Sequence, residues 1–297
     1  AVRISDAVGV SVTNCTFEHL GGGGVHVGNR SRSVEVVGSR FFRPGQSGVV
    51  MTGNGSAQAQ RVLVENCSFD RPGTILASAA GIIGSTVSYS TFRANRILNS
   101  SRWGIAVRSN GLAASIGNTI ELNRIEGAGQ SSRDLGGISL CSGGPTRGTG
   151  TVVRSNCVKD MVGTDTNDQG ELLRPFFTWS VYLDNNSSGF TVEGNVLSGN
   201  VNGGLFFHGG ADNTVRNNVF ARTSGFAPGA SEPGDYGWYH AASVQYAKLS
   251  PLVHGGNNSV LRNVVLVTSN QSAWSLNAPF NASTPELAAV DRNLYYS

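Results

Sequence analysis

The sequence is short of lysine. Only Lys159 and Lys248 occur in 297 residues, so nearly all of the positive charge is arginine. Charged residues make up 14% of the chain, and 22 Lys+Arg against 19 Asp+Glu leave a formal net charge of +3. No basic cluster or basic–aromatic stripe is present, which argues against nucleic acid as a partner. No apolar run approaches the ~20 residues of a membrane-spanning helix. The four cysteines, Cys15, Cys67, Cys141 and Cys157, form no CxxC or Cys/His metal spacing; they read as small apolar residues first and disulfide partners second. No metal site and no cofactor is expected.

Glycine is abundant, with 40 residues, and Val, Ile, Leu and Phe are plentiful. This is not the composition of a disordered chain. Much of the apolar content recurs in one phrase: "VSVTNCTF", "VEVVGSRF", "VLVENCSF", "FRANRI", "IELNRI", "VRSNCV", "TVEGNVL", "TVRNNVF", "VLRNVV" and "VDRNLY". Its last residues, Phe17, Phe41, Phe69, Ile97, Ile125, Val158, Leu197, Phe220, Val265 and Tyr295, serve as anchors. They follow one another at steps of 24, 28, 28, 28, 33, 39, 23, 45 and 30 residues.

Five residues before each anchor lies an apolar residue, from Val12 to Val290. Two before it lie Cys15, Ser39, Cys67, and then Asn95, Asn123, Asn156, Asn195, Asn218, Asn263 and Asn293. Period-two alternation marks a half-buried strand. A one-residue break of phase marks a tight turn, where Asn bonds neighbouring backbone. If each repeat is one coil, equivalent Asn residues stack ~4.8 Å apart and their amides bond up the column.

A second strand follows most anchors at an offset of nine. Its triplets are Val25-His26-Val27, Val49-Val50-Met51, Ile105-Ala106-Val107, Ile138-Ser139-Leu140, Val181-Tyr182-Leu183 and Leu205-Phe206-Phe207, with Ala77-Ser78-Ala79 as a weak member. Glycine usually precedes them, as suits a bend into a strand. Coils of this length with an Asn column resemble the right-handed parallel β-helix of the pectate-lyase-like superfamily. The fold expected is thus all-β, a solenoid of about ten coils forming one domain over 1–297. A β-propeller would need repeats of ~40–45 residues with four antiparallel strands each. The chain enters and leaves in mid-coil without polar caps, so it reads as a piece of a longer one.

Residues just after the triplets point outward on one face: Gly28, Thr52, Ala80, Arg108, Cys141, Asp184 and His208. The middle positions of the later triplets include Ser139, Tyr182 and Phe206. Long insertions flank the same coils, and they carry Trp179, Phe176, Tyr236, Trp238 and Tyr239, aromatics suited to stacking on sugar faces. Long loops beside a polar strand face wall a groove.

"DLGGISL" (134–140), "VYLDNNSSGFTVEGNV" and "FFHGGADNTVRNNVF" resemble stretches of parallel β-helix glycoside hydrolases of the fucosidase/xylanase type. The resemblance implies Asp134 and Asp184 as the catalytic pair. It also implies a polysaccharide or oligosaccharide partner and a secreted, periplasmic or cell-surface protein, expected to be a monomer. Glycoside hydrolysis needs one protonated and one ionised carboxyl, ~5–5.5 Å apart for retention or ~6.5–9.5 Å for inversion. His208 would hold or tune Asp184, and Arg108 would bind a substrate carboxylate or hydroxyl. Tyr182, Ser139, Trp179, Phe206 and Trp238 would line the substrate.

In a straight chain Asp134 and Asp184 would lie ~20 Å apart along the strands, so they meet only if the chain bends at Gly136-Gly137. Asp165, Asp168, Glu171 and Asp212 are the other acids available to Asp184. Either aspartate also fits a turn carboxylate that caps backbone amides. Two further readings stand beside hydrolysis: a polysaccharide lyase, which needs a basic residue and a cation site, and a carbohydrate-binding β-helix, which needs neither.

Overall fold

The structure is a computed structural model that describes residues 2–109, 113–142, 149–222, 242–247, 256–266, 272–277 and 287–296. Trp238, Tyr236 and Tyr239 lie outside them. Strands dominate, and they fall into three parallel sheets of ten strands each, one strand per coil per sheet. The chain is a parallel β-helix.

The anchors align coil by coil: Phe17 pairs with Phe41, Phe41 with Phe69, Phe69 with Ile97 and Ile97 with Ile125. They point into a single core shared by all three sheets. Phe17, Phe41 and Phe69 stack with ring centroids 4.8 and 4.7 Å apart, the strand spacing carried into the side chains.

The phase break before each Asn is a left-handed residue. Asn14, Gly38, Asn66, Ala94, Leu122, Ser155, Gly194, Asn217, Arg262 and Arg292 all have φ between 51° and 64°. The Asn that follows is buried and satisfied. Asn156 Nδ2 donates to Ile120 O at 2.9 Å and to Asn195 Oδ1 at 3.0 Å. Its own Oδ1 accepts from the backbone N and from Nδ2 of Asn123, both at 3.0 Å. The same amide-to-amide contacts run from Asn95 to Asn293. The expected column is therefore a ladder in which each side chain hydrogen-bonds the next coil.

Glycine before the triplets has a packing reason that the sequence pattern did not expose. A Cβ on Gly48 would sit 2.4 Å from the Phe69 ring, and one on Gly104 would sit 2.4 Å from Ile125 Cγ2. The backbone comes down onto the anchor of the next coil, and only hydrogen fits.

One triplet is corrected. Ala77-Ser78-Ala79 is not a strand. The strand is Ala80–Ser85, and Ile82-Ile83-Gly84 pairs with Val49-Val50-Met51. The constant offset of nine fails there because residues 74–78 are an insertion before the strand.

The sheet built from the triplets widens where the insertions lie. Its strands are three residues at Val2–Ile4 and Val25–Val27, but six at Trp103–Arg108 and seven at Leu135–Cys141 and Thr178–Asp184. The outer face of a second sheet carries a charge ladder instead. Glu65, Arg93, Glu121, Arg154, Glu193 and Arg216 occupy one slot in six successive coils. Ion pairs of 2.8, 2.7 and 2.7 Å join Arg93 to Glu65, Arg154 to Glu121 and Arg216 to Glu193.

Candidate active site

Asp184 ends the Thr178–Asp184 strand, and the left-handed residues Asn185 and Asn186 turn the chain away behind it. Arg108, Cys141 and Asp184 share one outward column. His208 ends the next strand, Gly203–His208, and its Nδ1 lies 2.8 Å from Asp184 Oδ1. An ionised carboxylate only accepts, so Nδ1 carries the proton of this contact. Asn185 Nδ2 donates to Asp184 Oδ2 at 3.3 Å. The His208 ring is held flat against Phe206, 5.4 Å between centroids and 17° from parallel.

Asp134 precedes the Leu135–Cys141 strand with φ 54°. At Gly136, inside this strand, a Cβ would meet Ile138 O at 2.6 Å and Tyr182 Cβ at 2.8 Å. In the neighbouring coils tryptophans fill this slot, Trp179 directly paired with Gly136. The missing side chain leaves room for Tyr182 to reach back along the sheet. Its hydroxyl donates to Asp134 Oδ1 at 3.3 Å and lies 3.3 Å from His208 Nδ1. Asp134, Tyr182, His208 and Asp184 are thus connected in series. The three contacts bound the separation of the two carboxyl oxygens below about 10 Å. The ~20 Å of a straight chain does not apply.

The two carboxyls stand in different surroundings. Desolvation, and then the negative charge of Asp184, push the Asp134 pKa above the ordinary aspartate value; Arg102, the Tyr182 hydroxyl and His208 oppose the shift. The Asp134 side chain is nonetheless 52% exposed, so solvent reaches it. Arg102 was missed in the sequence because it lies outside the triplet frame. Its Nη2 donates to the Asp134 carbonyl at 3.2 Å and lies 3.8 Å from Asp134 Oδ2. Burial lowers its pKa, Asp134 opposes, and the like charge of Arg108 lowers it further. The guanidinium lies over the Trp103 ring, 4.3 Å from its centroid.

The remaining expected residues divide. The Arg108 guanidinium lies over the Trp103 ring, 5.3 Å from its centroid. Ser139 is paired between Ala106 and Tyr182 and is buried. Trp179 was expected in a loop with a face open to sugar. It lies instead inside the Thr178–Asp184 strand, fully buried, stacked on an equally buried Phe206 at 4.4 Å. With Phe176, Phe177 and Tyr182 these rings form an aromatic bed under the site. Tyr182 is buried apart from the contacts of its hydroxyl. Three of the four other acids considered for Asp184 are engaged elsewhere: Asp165 pairs with Arg133, Glu171 accepts from Asn167, and Asp212 accepts from Asn257. Among the described residues, no group of three His, Cys, Asp or Glu is placed to hold a metal ion. No helix among the described residues is long and apolar enough to cross a membrane.

An open cavity of about 470 Å³ adjoins this site along the chain. Ser101 and Ser131, which line it, immediately precede Arg102 and lie three residues before Asp134.

Residues 1–171 match a family model described as "Right handed beta helix region". No curated protein matches the chain. Among solved structures, the catalytic unit of a thermostable GH87 alpha-1,3-glucanase from Streptomyces thermodiastaticus superposes with a TM-score of 0.63 at 14% identity, covering 99% of this chain and 49% of that one. An alginate lyase from Paenibacillus sp. gives 0.59 at 11% identity, with 99% and 95% covered. A periplasmic alginate epimerase gives 0.58 at 11% identity, with 99% and 73% covered. The chain spans about half the length of the glucanase unit. At these identities the likeness is one of fold.

Proposed function

Since the chain belongs to the right-handed β-helix family, we propose that it is a carbohydrate-active enzyme that hydrolyses glycosidic bonds with Asp134 and Asp184. One observation carries this reading: two carboxyls less than about 10 Å apart in one hydrogen-bonded series. Asp134 has its pKa raised and is open to solvent, which suits a general acid that protonates the leaving oxygen. Asp184 is held by His208 and Asn185, which suits the ionised partner. That partner either activates water or attacks the sugar, and the bound on the spacing spans both geometries. The resemblance of 134–140 and 181–184 to fucosidase/xylanase-type hydrolases supports the same pair. This reading makes a polysaccharide or oligosaccharide the partner. It also makes the protein a secreted, periplasmic or cell-surface monomer.

One observation favours a second reading, proton abstraction beside a uronate carboxyl by a lyase or epimerase. Arg102 brings a cation beside Asp134, which Tyr182 joins to His208, the set such chemistry uses to neutralise a carboxylate and move a proton. Burial of Tyr182 weighs against it as a group that touches substrate.

The deciding experiment is Asp184→Asn, assayed for reducing ends and for ultraviolet-absorbing unsaturated product on a panel of neutral and acidic glycans. Reducing ends without unsaturated product in the parent, lost in the variant while glycan still binds, support hydrolysis. Activity retained by the variant overturns the assignment, and an unsaturated product selects the lyase.

A further inference from the structure

The cavity beside the site is lined by Arg71 and Arg174 together with Asn99, Ser101, Gln130 and Ser131. Among the described residues, no acidic one lines it. Its size falls within the ~300–1,000 Å³ of small-molecule sites. Its polar groups converge from four successive coils. Arg71 and Asn99 occupy the left-handed turns after two successive anchor strands, with φ of 51° and 53°. Gln130 follows the third such turn, at Gly127.

The two cations are held differently. Arg71 Nη2 lies 3.4 Å from Asp70 Oδ2, and its guanidinium lies 5.6 Å from the Phe42 ring centroid. Arg174 Nη2 donates to Gln130 Oε1 at 2.6 Å, a neutral acceptor, and among the described residues no carboxylate pairs with it. Gln130 Nε2 in turn donates to Gly127 O at 2.7 Å. The Gln130 amide is therefore fixed and aims Arg174. A guanidinium with unused donors over a cavity fits a carboxylate or sulfate in bidentate geometry. Arg102, which follows Ser101 in the chain, has a buried Nε with no hydrogen-bond partner.

We propose that this cavity is a binding subsite for an acidic sugar, with Arg174 and Arg71 as the carboxylate-recognising residues, so that the enzyme's substrate is a polyuronate-type glycan. The inference rests on the hydrolase reading for the direction in which the chain is presented, but the cavity binds whether or not cleavage follows. An acidic unit held by Arg174 and Arg71 places the adjoining unit toward Arg102 and the Asp134–Asp184 pair.

The test is calorimetric titration of the full chain with oligogalacturonate and oligomannuronate, each beside its carboxyl-reduced neutral counterpart. An acidic oligomer should bind at least tenfold more tightly than its neutral counterpart. Arg174→Gln should weaken it about tenfold, Arg174→Glu further, and Arg174→Lys less than Arg174→Gln. Affinity should also fall with added salt. Circular dichroism guards against misfolding. The proposal fails if neither acidic oligomer outbinds its neutral form, or if folded Arg174 variants bind like the parent. Running the same titration on Asp184→Asn separates the two claims. Acidic binding intact with no cleavage of any glycan by the parent sinks the hydrolase and keeps the subsite. Cleavage of neutral glycans with indifferent Arg174 variants does the reverse.

Discussion

His208 Nδ1 and Asp184 Oδ1 meet at 2.8 Å across two coils. Each residue ends its own strand, and the parallel register brings them side by side. The contact fixes the Asp184 carboxyl in rotation. Asp184→Asn keeps the size and the neighbours but removes the charge. Turnover should fall ~10²–10⁴-fold, while glycan affinity measured by calorimetry changes little.

The raised pKa of Asp134 also sets a stability expectation. The folded state binds a proton more readily than the unfolded chain, whose value is near 3.8. Stability attributable to this group falls as pH rises from there through the folded value, and stays lower above it. Asp134→Asn should therefore melt higher than the parent at neutral pH. The advantage should vanish below about pH 3.8 in thermal scans across pH.

Tyr182→Phe removes one hydrogen bond from the ionised Asp134. That bond lowers the Asp134 pKa, so its loss raises the pKa further. The alkaline limb of kcat/KM should move to higher pH, with the ring still packed on Phe206. An unmoved limb would mean that Asp134 is not the acid.

Gly136→Ala should separate positioning from binding. The new methyl would press on Ile138 O and Tyr182, displacing the hydroxyl that joins Asp134 to His208. A shift of about 1 Å costs ~10²-fold in rate. The expected signature is a fall in kcat with KM little changed.

How much of this was readable depends on the frame. Asp184 and His208 were legible because they occupy equivalent places in successive repeats, and a parallel stack makes equivalent residues neighbours. The Asn ladder was legible for the same reason. Arg102 was not, because it stands before its triplet, where strands widen and lose their common phase. Trp179 was read as a loop aromatic because nothing in its own segment tells that the strand starts at Thr178. The route from Asp134 to Asp184 depends on Gly136, a vacancy that matters only once Tyr182 of the next coil is seen to occupy it.

The ladder carries its own prediction. Asn156→Ala leaves the Asn123 backbone N and the Ile120 carbonyl without their side-chain partner. Orphaned buried groups cost ~1–3 kcal/mol each, so a loss of about 2–6 kcal/mol is expected. Urea unfolding should show a lower midpoint at unchanged slope. Asn293→Ala, at the half-buried end of the column, should lose less.

The alternating charges from Glu65 to Arg216 give the solenoid a parity. Excising the coil of Glu121 alone would set Arg93 against Arg154, like charges face to face on adjacent strands. Excising the coils of Glu121 and Arg154 together would set Arg93 against Glu193 and restore the order. Over this stretch, lineages of the chain can shorten or lengthen most cheaply by even numbers of coils.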